Sequence, residues 1–407
     1  MKILQLCKKF PFPLKDGESI AVTYLSKALH ELNCKITLLS MNTQKHYMDI
    51  DKLPSDYNHY EAIHTVYLDN RIKPLDAFFN LFSKRSYHIT RFETPEFENY
   101  LIRLLKEEEF DVVQLEGPNL APYISVIRKY SNALVAMRAH NVEHEIWARV
   151  ANNYTFLPLK WYLKMLVRKL KYYEIEQLQN YDILVAMTAR DLRLFKQLGY
   201  NGNSVVTPVG LDSRSYTVDY SSYRKPLSIS FIGSLDWIPN IEGLKWFLSN
   251  VWDKAVHRFS ELSLHIAGRN TPKWIYYLGN KNVFVHGEIP DSAQFINQHS
   301  IMIVPLFSGS GMRVKILEGM MLGRVVITTS IGLEGIDCTP GKNILVADTP
   351  AEFIERILWC YNNKNKLIDI GTEAHKLISE QYDNQNIGIK LLATYQKQLQ
   401  QKRLVRI

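Results

Sequence analysis

One segment of the chain, from Pro305 to Thr329, holds the residue types that bind phosphate groups. An apolar strand is followed by a loop of small residues and then by a helix predicted over Met312 to Leu322. Small residues let the backbone approach a diphosphate closely, and the free N–H groups at a helix start attract anions. The small residues of this loop are Gly309, Ser310 and Gly311.

Two cations and one acid lie near the start of that helix. Arg313 and Lys315 follow Met312 in the first turn, where the helix N-terminus is already positive, so they cost stability unless an anion binds there. Glu318 is within reach of the same ligand. A Gly-x-Gly sequence taken by itself is more often an ordinary turn. In that case the charged residues form a solvated helix surface.

A second polar group follows an apolar strand in the first half of the chain, between Met137 and Trp147. Arg138, Glu143 and His144 are candidates either for binding an acceptor substrate or for local ion pairs. A metal site is not predicted, because three neighbouring residues from Glu143 to Glu145 cannot all face one ion on a helix.

Short apolar runs alternate with amphipathic helical patterns, such as Ile20 to Leu32 and Phe97 to Glu108, through the first half. This alternation is typical of β-α-β units and predicts a parallel sheet. The predicted strands are Ile3 to Cys7, Lys35 to Leu39, Ile63 to Tyr67, Asp111 to Leu115, Ala133 to Met137 and Ile183 to Met187.

The second half repeats the alternation of strands and helices after a break near Val209. There, Pro and Gly interrupt the helical and the strand periodicity of apolar residues. We predict an α/β fold of two Rossmann-like parallel-sheet domains, 1–208 and 209–385, facing across a cleft, with a last helix in 386–407 packing back on the first domain. Such sheets bind ligands beyond the carboxyl ends of their strands. The second set of predicted strands is Leu227 to Ile232, Leu262 to Ile266, Asn282 to Val285, Ile301 to Val304, Val325 to Thr328 and Ile344 to Val346.

Composition excludes several classes of protein. A length of 407 residues predicts two or three domains, and 46% hydrophobic with 22% charged residues argues against disordered, collagen-like and coiled-coil proteins. The four cysteines lie far apart without metal-ligand spacing, so neither a disulfide framework nor a zinc site is predicted. No apolar run is long enough to span a bilayer, and a cytoplasmic location is expected.

The formal net charge of +8 favours anionic partners. Nucleic acid is not predicted, because no RNP-like strand or helix-turn-helix pattern occurs. A dinucleotide-dependent dehydrogenase is disfavoured, since Leu6 to Phe10 after the first strand lacks glycine. Asp49-Ile-Asp51 has the form of a metal-binding Asp-x-Asp motif, but it lies in a polar connector and is predicted to be an exposed loop.

An amphipathic stretch, Phe156 to Tyr173, carries basic residues at helical spacing and apolar residues beside them. It suits peripheral contact with an anionic membrane, or an ordinary helix whose apolar side packs on the first domain. The basic residues are Lys160, Lys164, Arg168 and Lys171, and the apolar ones are Trp161, Leu163, Leu166 and Leu170.

Four further motifs follow one another in the second half: Phe231 to Gly243, His265 to Gly268, Val283 to Glu288 and Leu317 to Gly335. In this order they resemble the GT-B glycosyltransferases of family 4, the group 1 class of retaining enzymes. The resemblance extends over almost the whole chain, and the ordered set of motifs carries it.

This resemblance implies a nucleotide-sugar donor as substrate, retention of anomeric configuration, no separate cofactor and no essential metal. His140 matches the family's histidine beside the donor sugar, and Gly17 matches its first glycine loop. The implied catalytic residues are His140, Arg313, Lys315 and Glu318. The implied donor contacts are Gly17, Gly233, Ser234, Gly268, Gly287, Glu288, Gly309, Ser310, Gly311, Met312, Arg313, Lys315 and Glu318.

Two positions depart from the family pattern. Members usually carry two glutamates with seven residues between them; Glu318 fits the second, ribose-binding position, but Ser310 stands at the first, as in a subgroup with GSGxRxK. A basic pair common after the first donor-domain strand is replaced by Pro239-Asn240. We expect Asn240 to cap a helix over Ile241 to Asn250.

The predicted function is transfer of a sugar, of hexosyltransferase type, from a nucleotide-sugar donor to a glycan or lipid-linked acceptor. Cell-surface polysaccharide or glycoconjugate synthesis is the expected context, in the cytoplasm or peripherally on the inner membrane face. The alternative function is that of a nucleotide-sugar 2-epimerase on a similar two-domain scaffold.

Overall fold

A computed structural model describes residues 1–14, 16–55, 57–71, 79–279, 282–308 and 312–404. The chain divides into two compact units, one of Met1–Gly210 with Ile387–Ile407 and one of Leu211–Asn386. The predicted domain boundaries fall after residues 208 and 385.

The first unit is built on seven parallel strands in the order β3-β2-β1-β4-β5-β6-β7, counted over the described ranges. Its central strands are buried on both faces, as expected when helices cover a parallel sheet on both sides. The strand order reverses between β1 and β4, and ligands bind beside such switch points in open α/β sheets. The strands are β1 Lys2–Cys7, β2 Lys35–Thr43, β3 Ala62–Leu68, β4 Val112–Glu116, β5 Leu134–Ala139, β6 Ile183–Ala186 and β7 Asn203–Val206.

Several helices of the first unit begin at a residue whose side chain caps the helix start. Asp16 accepts a hydrogen bond from the backbone N–H of Ser19 at the start of α1, and Thr94 does the same for Phe97 at the start of α3. The helices are α1 Gly17–Glu31, α2 Tyr87–Thr90, α3 Pro95–Glu107, α4 Ile124–Tyr130, α5 Glu143–Asn153, α6 Leu157–Gln177 and α7 Ala189–Gln197.

The second unit has six parallel strands in the order β10-β9-β8-β11-β12-β13 within the part of the chain that is described. Here the order reverses between β8 and β11. The strands are β8 Ser228–Ile232, β9 Ser263–Ala267, β10 Val283–Gly287, β11 Ile301–Val304, β12 Val325–Thr328 and β13 Leu345–Val346. The helices are α8 Ile238–Phe247, α9 Asp253–Arg258, α10 Lys273–Tyr276, α11 Ser292–Asn297, α12 Val314–Met321, α13 Pro350–Asn362 and α14 Lys364–Gln381.

The last helix, α15 Asn384–Leu404, contributes to the core of the first unit. Ile387, Leu391 and Tyr395 are buried there, and the Tyr395 hydroxyl donates a hydrogen bond of 2.7 Å to the Gln114 side chain on β4.

Each predicted strand overlaps an observed one, and the α/β class with two Rossmann-like parallel sheets is confirmed. Strand β7 was not predicted. It is an edge strand of four residues, Asn203–Val206, of which Val205 alone is fully buried, so its apolar signal is weak.

Candidate active site

Helix α12 begins at the carboxyl edge of the second sheet, after β11. Arg313 is its N-cap residue, and its apolar side is buried against β11 and β12. Gly319 permits this close packing, since a Cβ there would lie 2.6 Å from the Met302 sulfur. Gly323, at φ +67°, follows the helix end. The helix start is thereby fixed beside the ends of the central strands.

Lys315 reaches from α12 to the end of β8. Its Nζ donates hydrogen bonds to the Ile232 carbonyl at 3.2 Å and to the Asn240 side-chain oxygen at 2.6 Å. Both acceptors are uncharged. Burial, and then the neighbouring Arg313 cation, lower the pKa of Lys315 to about 7. Arg313 itself is buried, with 5% of its surface exposed.

Asn240 does not cap a helix, and that prediction was wrong. Helix α8 begins at Ile238, with Pro239 tolerated in its first turn, so Asn240 lies inside the helix. Its amide donates a 2.8 Å hydrogen bond to the Ser234 carbonyl while its oxygen accepts from Lys315. Asn240 therefore ties the turn after β8 to the start of α12.

Three predicted glycines lie side by side at the ends of β8, β9 and β10. The Gly268 N–H donates to the Gly287 carbonyl at 2.7 Å, and a Cβ on Gly268 would lie 1.9 Å from the Gly233 carbonyl oxygen. A Cβ on Gly233 would lie 2.7 Å from Lys315 Nζ. A side chain at either position would displace the backbone or the lysine.

The remaining predicted donor contacts of this unit differ in surroundings. The Glu318 carboxylate accepts a 3.1 Å hydrogen bond from the Tyr216 hydroxyl, and burial raises its pKa. Ser234 donates to Asp236 at 2.6 Å, and Glu288 is exposed. Met312 packs against the apolar core. Three predicted contacts, Gly309, Ser310 and Gly311, lie outside the described residues.

The first unit gathers a buried charged cluster around Glu116 at the end of β4. Glu116 accepts hydrogen bonds from Gln5 at 2.7 Å, His140 Nε2 at 2.7 Å and Arg138 at 3.4 Å. Burial alone would raise the pKa of this carboxyl, but Arg138 and His140 lower it to about 2. Because a carboxylate only accepts, His140 Nε2 carries its hydrogen, which fixes the imidazole orientation.

Arg138 is a core residue, which corrects its predicted role in acceptor binding. It is 1% exposed, lies opposite Glu116 in the β4–β5 register, and also donates to the Ala21 carbonyl at 3.0 Å. Its guanidinium neutralises Glu116. Of the two roles that the sequence allowed for Arg138, acceptor binding or an ion pair, the structure shows the ion pair.

His144 is likewise held by a side chain of this protein, Glu174, rather than presented to a substrate. The backbone N–H groups of Glu143 and His144 donate to the Glu174 carboxylate at 3.0 and 2.9 Å, and His144 Nδ1 lies 2.7 Å from the same group. Glu174 thus occupies the helix start of α5, where an anion is favoured. The Glu143 side chain lines a cavity instead.

Gly17 is the first residue of α1, and two ion pairs lie next to it in the sequence. Lys8 Nζ lies 3.5 Å from Glu18, and Lys9 Nζ lies 2.8 Å from Asp16. A Cβ on Gly17 would meet no atom within 4 Å, so packing does not require glycine there.

Sequence reasoning missed Glu116, Lys8, Tyr216 and Glu174. Glu116 had a usable signal, since a charged residue directly follows the apolar strand predicted at Asp111 to Leu115. Tyr216 and Glu174 are distant in sequence from the residues they contact, and no local pattern links them.

The described residues contain no group of three or more His, Cys, Asp or Glu side chains placed to hold a metal ion. Asp49 caps a short 3₁₀ turn, Ile50–Lys52, by accepting from Asp51 N. Of the helices in the described ranges, none is both long and apolar enough to cross a membrane.

Residues 226–363, which cover most of the second unit, match the protein family described as "Glycosyl transferases group 1". An uncharacterised 44.6 kDa protein in the cps region of Klebsiella pneumoniae is 27% identical over 170 residues, which is 39% of this chain and 44% of that protein. The chain thus aligns with less than half of this relative's length. The second unit carries a group 1 glycosyl transferase domain.

Solved structures match nearly the whole chain. Sucrose-phosphate synthase from Thermosynechococcus elongatus has a TM-score of 0.69 at 14% identity, covering 98% of this chain and 99% of that one. HepE of Anabaena in complex with UDP has a TM-score of 0.65 at 13% identity, covering 98% and 100%. A variant of S. aureus TarM in complex with fondaparinux, α-GlcNAc-glycerol and UDP has a TM-score of 0.65 at 13% identity, covering 97% and 99%. These likenesses establish the GT-B fold.

Proposed function

We propose that this protein transfers a sugar from a nucleotide-sugar donor to a glycan or lipid-linked acceptor. The observation that carries the proposal is Lys315, a half-buried lysine at a helix start whose hydrogen-bond acceptors are both uncharged. Glu318 offsets burial and the Arg313 cation only in part, and a diphosphate would add negative charge beside the two cations. The matched glycosyl transferase domain contains this residue.

The donor would bind across the start of α12. Arg313 and Lys315 would neutralise the diphosphate, and Glu318, one helical turn after Lys315, would accept hydrogen bonds from the ribose hydroxyls. The glycine layer at Gly233 and Gly268 would let the ligand approach the strand ends. HepE was solved with UDP, which supports a nucleotide donor for this fold.

We assign the chain to the retaining, metal-independent family 4 enzymes, in the subgroup with GSGxRxK. The acceptor oxygen would bond to the anomeric carbon as the bond to the phosphate oxygen breaks on the same face, and the acceptor proton would pass to that phosphate oxygen. The cations at α12 would stabilise the leaving charge, a role that a divalent metal fills in other transferases. His140, oriented by Glu116, would contact the donor sugar.

Turnover should therefore survive EDTA. Initial rates with and without chelator test this. A rate that vanishes with EDTA and returns with Mg²⁺ or Mn²⁺ would refute the metal-independent assignment.

The donor class is open to a direct experiment. A melting-temperature panel of UDP-, GDP- and ADP-sugars should give one large stabilisation, because a ligand that binds only the folded state raises the melting temperature. Product analysis with and without acceptor then separates transfer from 2-epimerisation. An isomerised nucleotide sugar formed without acceptor would favour the epimerase.

The biological setting we propose is cell-surface polysaccharide or glycoconjugate synthesis, with the hexosyl group as the transferred unit. The curated relative lies in a cps region, which supports this setting. A cytoplasmic location would give access to nucleotide sugars, and a lipid-linked acceptor would bring the enzyme to the inner membrane face.

Membrane contact would use the first turns of α6. The middle of this helix packs Leu166 and Leu170 into the first unit, whereas Phe156, Leu157 and Trp161 are 66%, 75% and 66% exposed. Exposed aromatic and aliphatic residues beside basic side chains suit an anionic interface. The protein should float with anionic liposomes at low salt but not with neutral ones, and Trp161→Ala should reduce flotation. Equal behaviour with both liposomes would overturn this proposal.

A further inference from the structure

A cavity of about 130 Å³ lies beside Glu143 in the first unit. It is far larger than the roughly 10–15 Å³ that one water needs and smaller than the roughly 300–1,000 Å³ of a complete ligand pocket. The cavity therefore fits one end of a substrate. Its lining includes Lys8, His88, Arg91, Asn119, Glu143 and Trp147.

Arg91 brings a cation to this cavity without an acid to balance it. Within the described ranges, its side chain makes no ion pair and no hydrogen bond, and its buried Nε has no partner. The guanidinium carbon lies 5.0 Å from the ring centroid of Phe92. Burial lowers the pKa of Arg91. Buried donors without partners cost free energy that an anionic ligand would recover.

His88 adds a second buried polar atom that has no partner among the described residues. Its Nε2 makes no hydrogen bond, while its backbone carbonyl accepts a 2.9 Å hydrogen bond from Asn119. The His88 ring lies 4.1 Å from the Trp147 ring, centroid to centroid. Burial, and then Arg91, lower the pKa of His88 to about 4, so the imidazole is neutral at neutral pH.

At the other end of the cavity, one lysine lies between two carboxylates. Lys8 Nζ lies 3.5 Å from Glu18 and 4.0 Å from Glu143, so its charge is met by protein carboxylates. The Glu143 carboxylate can accept hydrogen bonds from sugar hydroxyls. Lys8 is therefore paired within the protein, whereas Arg91 is a lining cation that forms no ion pair with a described carboxylate.

We infer that this cavity binds an anionic substituent of the acceptor sugar, a carboxylate or a phosphate, through Arg91 and His88, with Trp147 beside the sugar. The inference rests on the proposed transferase function and names the acceptor class that it would use. A neutral sugar would leave Arg91 without a counter-charge and would bind more weakly.

Calorimetric binding of three probes to the full chain tests this inference: methyl glucuronide, glucose 6-phosphate and methyl glucoside. We expect at least one anionic probe to bind about tenfold or more tightly than the neutral one, since hydrogen bonds to charged groups contribute that much. The tighter of the two anions identifies the substituent. Arg91→Met should abolish the preference, and Arg91→Lys should keep part of it.

Arg103→Met is the matched control, because Arg103 is exposed on α3 and lies over the Tyr100 ring. It should bind like the wild type. Equal binding of the three probes, or an unchanged preference in Arg91→Met, would overturn the inference. The melting shift with nucleotide sugars separates the two proposals: if wild type and Arg91→Met keep that shift while the anion preference is absent, only the acceptor inference fails.

Discussion

Charged side chains lie at the carboxyl edges of both sheets, but the two edges neutralise them differently. At the first edge, buried Glu116 is met by Arg138 and His140, and Glu174 is met by His144. At the second edge, half-buried Lys315 donates hydrogen bonds to a backbone carbonyl and an amide oxygen. Glu116 and Glu174 thus have partner side chains within the protein, whereas both hydrogen-bond acceptors of Lys315 are uncharged.

This difference separates charged residues that have partners in the protein, such as Glu116, from cations such as Lys315 and Arg91 that would gain a counter-charge from an anionic ligand. A buried carboxylate holds its hydrogen-bond donor in one geometry, as Glu116 does for His140, whereas a desolvated cation with neutral acceptors gives up its proton more easily. The lowered pKa of Lys315, about 7, is the consequence. An anionic donor would restore the charge of Lys315.

Arg138→Met should have the largest effect, because it leaves Glu116 as a buried carboxylate without its main counter-charge. We expect a loss of about 3–5 kcal/mol in the free energy of unfolding. Urea unfolding of the full chain, followed by tryptophan fluorescence and circular dichroism, measures it.

Arg128→Met is the control, because Arg128 forms an exposed ion pair of 2.8 Å with Asp182 in the same unit. Its loss should be about 1 kcal/mol or less. If both substitutions cost the same, the first edge is not held together by its buried pair.

Glu318→Gln tests the second edge. The amide keeps the shape but loses the charge that would hold the ribose, so kcat/KM should fall about tenfold to several hundredfold while the melting temperature barely changes. Initial rates over a range of donor concentrations measure it. Glu355→Gln, at an exposed position on α13, should leave the rate unchanged. Full activity in Glu318→Gln would mean that the donor site lies elsewhere.

Substituting one glycine in each unit compares the two edges, and we expect smaller effects than for the charged residues. Gly233→Ala should weaken nucleotide-sugar binding, because its Cβ would lie 2.7 Å from Lys315 Nζ and from Asn240 Nδ2. Gly17→Ala should change stability by about 0.5 kcal/mol or less, since its Cβ meets no atom within 4 Å. Melting temperatures with and without donor measure both, and a larger donor effect at Gly17 would reverse the comparison.

The sequence predicted the strands well because buried parallel strands are continuous apolar runs, as at Ile301–Val304 and Val325–Thr328. It predicted the start of α12 from glycine, charge and periodicity together. What it misjudged depends on contacts between distant segments. Asn240 bonds to Lys315, 75 residues away, and therefore does not act as a local cap.

The acceptor-side predictions show the same limit. Arg138 and His144 are polar residues near a strand end, which is where binding residues occur, yet their partners Glu116 and Glu174 lie 22 and 30 residues away. Only the sheet register and the packing of α6 on α5 bring those partners together. Of the three predicted acceptor residues, Glu143 alone lines the cavity.

The pH dependence of nucleotide-sugar affinity tests most directly whether Lys315 receives the donor's charge. In the free protein Lys315 loses its proton near pH 7, whereas a bound diphosphate favours the charged form, so binding takes up a proton above that pH. The donor's diester diphosphate does not titrate there. We predict that the dissociation constant rises by up to about tenfold per pH unit above about pH 7, and that Lys315→Arg, whose guanidinium stays charged, removes the dependence. An affinity that is flat with pH in the wild type, or equally steep in Lys315→Arg, would contradict the account.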